Sequence, residues 1–185
     1  MRGIVIEGVH ATDTILTSSI TGLPGLPVED IRLSDIRVVT TMPGKPEWVS
    51  HPVPEVPGAY PQSRMFGWLP ASGIYVRHVR GLSMRNMSFS APVDEWRPTL
   101  IFDDVQDLQC HGLHSTPAGN GECLLSLIDV SNAWLSGATA PKGSRALLHS
   151  PSSKDVLISG CDLRGGAVAA EGDGHGVQAE NNSTN

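Results

Sequence analysis

A nine-residue pattern recurs six times in this chain, and few folds can accommodate it. The copies start at residues 3, 30, 81, 107, 132 and 155, and read GIVIEGVHA, DIRLSDIRV, GLSMRNMSF, DLQCHGLHS, NAWLSGATA and DVLISGCDL. The second place is apolar in every copy (Ile4, Ile31, Leu82, Leu108, Ala133, Val156), and so is the fourth (Ile6, Leu33, Met84, Cys110, Leu135, Ile158). The sixth is a turn former: Gly8, Asp35, Asn86, Gly112, Gly137, Gly160. The seventh is apolar again: Val9, Ile36, Met87, Leu113, Ala138, Cys161. A repeat of about 25 residues signals a stack of similar units, each burying its apolar side against the next.

Apolar places two apart, with polar ones between, have the period of a strand with one buried face. Gly, Asn or Asp at the sixth place tolerates positive φ, so the chain turns there and a second short strand follows. A third apolar stretch precedes most copies, at 15–18, 74–76, 99–102, 124–128 and 146–149. Three short strands per repeat predict one coil of a right-handed parallel β-helix, an all-β solenoid of about six coils. Ile6, Leu33, Met84, Leu135 and Ile158 are then expected in one interior ladder. A leucine-rich repeat is the rival architecture, but its Leu and Asn spacing is absent. The predicted organisation is a solenoid over residues 1–164, with a long insertion at 41–70. A Gly/Ala-rich tail at 165–185 is expected to be weakly packed.

Composition narrows the function classes. Hydrophobic residues make up 39%, enough for a core, and charged residues only 17%. A net charge of −6 argues against nucleic acid as a partner. No apolar run approaches the length of a membrane span. The segment MRGIVIEGVH has no long apolar stretch, so no signal peptide is read there. Three cysteines do not make a disulfide framework, and Cys110, Cys123 and Cys161 read as small buried hydrophobes. His111 and His114 lack the spacing of a metal site, and neither metal nor cofactor is expected.

The insertion departs most from the repeat. It holds half of the chain's 14 prolines, together with Trp48, Tyr60, Phe66 and Trp68. Prolines stiffen a loop, and aromatics on a stiff loop either stack on sugar rings or pack back onto the solenoid. From Arg64 to Arg97 the chain carries five arginines (Arg64, Arg77, Arg80, Arg85, Arg97) and two acids, Asp94 and Glu95. This local excess suits a carboxylated ligand or is simply solvated. Trp48, Tyr60, Arg64, Trp68, Arg77 and His78 are the candidate substrate-binding residues.

Three stretches carry a family resemblance: ITGLPGLPVEDIRLSDIRV at 20–38, AYPQSRMFGWLPASGIYVRHVRGLSMRNMSFS at 59–90 and RPTLIFDDV at 97–105. They resemble bacterial members of glycoside hydrolase family 28, the polygalacturonase family. The resemblance implies a right-handed parallel β-helix and hydrolysis of galacturonic-acid polymers by inversion, with carboxylates as acid and base. It also implies a place outside the cytoplasm, extracellular or periplasmic, and an acidic pectic oligosaccharide as partner. The family's Asn-Thr-Asp and Arg-Ile-Lys motifs do not occur here. Asp103-Asp104 and Gly174-His175-Gly176 do not have the family's arrangement, so no catalytic residue is assigned. The chain resembles the C-terminal part of such an enzyme without its catalytic motifs.

Three functions follow as expectations. One is a carbohydrate-associated solenoid, inactive alone. Another is a structural module that self-associates through its N-terminal coil, which no capping sequence precedes. The third is an active hydrolase with a carboxylate pair in a new place.

Overall fold

The computed structural model of the chain describes residues 1–62, 64–116, 123–165, 167–172 and 176–184. The strands in chain order are β1 (Arg2–Thr14), β2 (Ser18–Thr21), β3 (Val28–Thr40), β4 (Ile74–Ser90), β5 (Leu100–Ser115) and β6 (Cys123–Ile128). They continue with β7 (Ser131–Ser136), β8 (Ala146–His149), β9 (Lys154–Ser159), β10 (Val168–Glu171) and β11 (Val177–Glu180). Every pairing between these strands is parallel. The chain is the expected all-β solenoid, a right-handed parallel β-helix of about six turns.

The register follows the repeat. Ile4 lies against Ile31, then Leu82, Leu108, Ala133 and Val156, and Ile6 begins a second ladder through Leu33, Met84, Cys110, Leu135 and Ile158. From Leu33 onward these side chains are buried in one continuous core, but Ile6 is 40% exposed, since among the described residues β1 pairs only with β3. The long strands are bent rather than straight. The first place of the repeat takes positive φ in every copy (Gly3, Asp30, Gly81, Asp107, Asn132, Asp155), as does the sixth (Gly8, Asp35, Asn86, Gly112, Gly137, Gly160). This left-handed conformation costs most L-residues about 1–2 kcal/mol, and only Gly, Asn and Asp visit it readily. That selection explains both columns. Stacked corners also bond to each other, as Asn132 Nδ2 does to Asp107 Oδ1 at 2.6 Å.

One strand is displaced from the expected stretch, and the tail adds two more. The first-coil strand lies at Ser18–Thr21, where Ser18 is in register with Ile74, and Ile15 stays half-exposed. Residues past 165 hold two strands that extend the ladders: β10 pairs with β8 and β11 with β9. Val177 and Ala179 sit over Val156 and Ile158, and Asn181 takes φ 53° at the corner. GVQAENNST is thus a seventh, weaker copy of the pattern. Gly174 and His175 of the Gly-His-Gly triplet lie outside the described residues.

Candidate functional site

The insertion lies on the outside of the solenoid, and two polar clamps hold it there. The first is a buried ion pair. Glu95 Oε1 accepts from Arg97 Nε at 2.9 Å, and Oε2 from Arg97 Nη2 at 2.9 Å and from the Gly44 amide at 2.9 Å. Arg97 Nη1 donates to the Leu69 carbonyl at 3.2 Å and to Thr17 Oγ1 at 3.3 Å. The pair therefore joins both ends of the insertion to the first coil. Trp48 and Trp68 stack on each other at 4.3 Å and 8°, with the Arg97 guanidinium 5.4 Å from the Trp48 ring. A Cβ at Gly44 would collide with Arg97 Nε and Glu95 Oε1, so only glycine fits.

The second clamp stands on the outer face of the sheet formed by β2, the start of β4, the start of β5, β6 and β8. Tyr75, Ile101, Ser126 and His149 occupy one column across four coils, and Arg77, Asp103 and Ile128 the next. Asp103 Oδ2 accepts from the Tyr75 hydroxyl at 2.7 Å and from Arg77 Nε at 2.8 Å. Arg77 Nη1 continues to the Val53 carbonyl at 2.9 Å and to Glu55 Oε1 at 2.9 Å, both in the insertion. Burial first, then the hydrogen bond and charge of Asp103, push the Tyr75 phenol far above its ordinary value, so it stays a donor. Burial works against the Arg77 charge, but the Asp103 hydrogen bond and the surrounding acidic groups outweigh it and raise its pKa.

His78 stands beside this network at a corner, with φ 52°. Its Nδ1 lies 2.6 Å from Asp104 Oδ2 and its Nε2 2.9 Å from Glu55 Oε1. Burial disfavours the charged ring, yet the hydrogen bonds to Asp104 and Glu55 and their charges prevail and hold its pKa above the ordinary 6.5. Asp104 also sits at a corner, at φ 53°, so its side chain does not turn into the core; it is 49% exposed. Asp103 and Asp104 thus both stay outside, each on a different partner.

Between the sheet and the insertion runs a groove of about 720 Å³. Tyr75, Ile101, Asp103 and Ser126 line it along the sheet, His51 and Val53 on the insertion side, and Trp96 and His149 line it as well. A smaller recess of about 270 Å³, lined by Glu55, Phe66 and Thr21, shares Arg77 with it. The arrangement is a trough crossing several coils, with apolar, aromatic and polar side chains interspersed along it. Such a surface suits an extended ligand that stacks and hydrogen-bonds at once.

Of the six residues picked from the sequence, Arg77 lines the groove and His78 is its neighbour. Trp48 is buried, and with Trp68 it packs under Arg97. Tyr60 is 84% exposed, and Arg64 is exposed too. The sequence reading missed Tyr75, Trp96, His149 and Glu55. Tyr75 and His149 could have been found by numbering outward places in the third strand of each coil; Glu55, in a stretch without repeat, carried no such signal. Among the described residues no cluster of His, Cys, Asp and Glu has the make-up of a metal site. No family model, curated protein or solved structure matches this chain.

Proposed function

We propose that this solenoid is carbohydrate-associated: a part of the pectin-degrading hydrolase type its sequence resembles, which holds a stretch of acidic polysaccharide in the groove and does not cleave it alone. The observation that carries this reading is the groove itself. It follows the coil stack, offers Trp96 as a ring surface, and sets His51 and His149 as polar groups beside Ile101 and Ser126. Sugars are bound by this pairing of aromatic faces with fixed polar groups. The carboxylates nearby already have partners: Arg77 and Tyr75 on Asp103, His78 on Asp104. Inverting hydrolysis needs an acid and a base about 6.5–9.5 Å apart with a water between them, and engaged carboxylates favour binding over turnover.

The test is calorimetric titration with oligogalacturonides, with a neutral oligosaccharide of equal length as control. Binding at about millimolar strength is expected, a few kcal/mol surviving from one wall of a longer cleft, and Trp96→Ala should weaken it. No heat with the acidic series at millimolar concentration would sink the reading. A second reading, self-assembly, is favoured by β1, where Val5 is 62%, Ile6 40% and Val9 37% exposed. In this reading a second copy covers that coil, and the chain's mass in solution rises with concentration.

A further inference from the structure

The prolines of the insertion leave it dependent on side chains for attachment. Pro52, Pro54 and Pro57 have no N–H to donate. Among the described residues, the hydrogen bonds found between residues 52–55 and the solenoid come from two side chains: Arg77 to the Val53 carbonyl and Glu55, and His78 to Glu55. Val53 adds an apolar contact to the outer cluster of Leu69, Ala71, Tyr75 and Ile101. The segment stands where groove and recess meet, since Val53 lines the first and Glu55 the second.

His78 is caught between two acceptors. A carboxylate only accepts, so both ring nitrogens must carry hydrogen to satisfy Asp104 and Glu55 together, which is the imidazolium form. A neutral ring has one N–H. The 2.6 Å contact to Asp104, within the solenoid, is the shorter, so the proton stays on Nδ1. The Nε2 lone pair then faces the Glu55 carboxylate 2.9 Å away, and attraction becomes repulsion. The other groups around His78 do not replace the lost bond. Arg77 already shares Glu55 Oε1, Arg80 and Gln106 line the hollow on the far side with Asp104, and the preceding coil presents Leu23, Gly25 and Pro27, which do not titrate.

We propose that residues 53–55 are a latch over the groove, tightened by His78 in its charged form and loosened when the ring loses its proton, while Arg77 keeps its bonds to Val53 and Glu55. His78 titrates above its ordinary 6.5 in the fold, so the latch is tightest below that value and loosens as pH rises through the higher, folded one. Opening joins the recess to the groove and widens access to Arg77 and Asp103.

Nitrogen-15 NMR from about pH 5.5 to about pH 8.5 tests this on the whole chain without any sugar, so its outcome is independent of the binding proposed above. The imidazole shifts give the tautomer and midpoint of His78, and nitrogen-15 relaxation dispersion at Val53 and Glu55 reports the population of the open segment. The open population is expected to rise roughly five-fold or more with the midpoint of His78, the effect of one net hydrogen bond lost. His78→Gln should abolish the step. Glu55→Gln should abolish it as well, because its amide donates to the neutral ring; this variant carries the test if His78→Gln does not fold. An open population that stays flat through the His78 titration, or a step of the same size in His78→Gln, would overturn the proposal.

Discussion

Replacing Glu95 by Gln is expected to loosen the insertion and lower the melting temperature by roughly 6–12 °C. Five donors converge on this carboxylate. Oε1 takes the Trp96 amide at 3.0 Å, the Arg97 amide at 2.9 Å and Arg97 Nε at 2.9 Å. Oε2 takes the Gly44 amide at 2.9 Å and Arg97 Nη2 at 2.9 Å. A glutamine has one acceptor oxygen. Placed at the three-donor site, it turns its own NH₂ toward the Gly44 amide and Arg97 Nη2, donor against donor. The Arg97 charge, 3% exposed, is then left without its counter-ion. Breaking a buried pair from one side costs about 3–5 kcal/mol. At roughly 2–4 °C per kcal/mol for a chain of this size, the lower bound gives the stated shift.

The assay is thermal unfolding by circular dichroism, with hydrogen exchange over residues 42–70 to locate the change. Burial raises the Glu95 pKa, but the Arg97 hydrogen bonds and charge, with the Gly44 amide, bring it below the ordinary 4.5. The carboxylate therefore contributes in full above about that value and its contribution fades as pH falls through the depressed one, so the gap between wild type and variant should close in acid. A melting temperature within about 1 °C of wild type at neutral pH, with exchange unchanged, would refute the reasoning that this pair anchors the insertion.

Gly44→Ala should act on the same anchor by steric force, lowering stability by about 1–3 kcal/mol in denaturant titration, with the new methyl displacing Arg97. Met84→Ala, in the middle of the fully buried ladder, should cost about 2–5 kcal/mol, and recovery with Leu would show that volume decides. Asn86→Val, at a corner with φ 50°, should destabilise measurably where Asn86→Gly does not. Burial pushes the Cys110 thiol up to about 12, so reagent should label it only on unfolding, seen as a lag in mass spectra at neutral pH. The isolated chain should release no reducing ends from polygalacturonate; turnover lost in Asp103→Asn would make that carboxylate catalytic.

The repeat made the solenoid legible because each place in it answers to one physical demand. Inward places must be apolar in every coil, and corner places must accept positive φ, so both leave columns that can be read without a structure. The seventh copy was missed because Val177 and Ala179 are small and its seventh place holds Asn182, where the other six copies are apolar. The site was less legible. The sheet face that carries it is made of outward places, which the repeat leaves free to vary. Its partners come from an insertion with no period at all. Arg77 and His78 were visible as charges, but their meaning depends on Glu55, 22 and 23 positions earlier, and on a loop path that no local rule gives.

The two clamps divide the work by burial. Glu95 and Arg97 are almost wholly out of water, so their pairing is costly to break and does not respond to pH near neutrality. Glu55 is 39% exposed, and one of its partners is a histidine. A partly hydrated contact is weaker and easier to open, and only imidazole among these groups ordinarily changes charge near neutral pH. The insertion is therefore fixed at its ends, by Gly44 and Leu69, and conditional in its middle. A loop held in this way can open over a groove without leaving the protein.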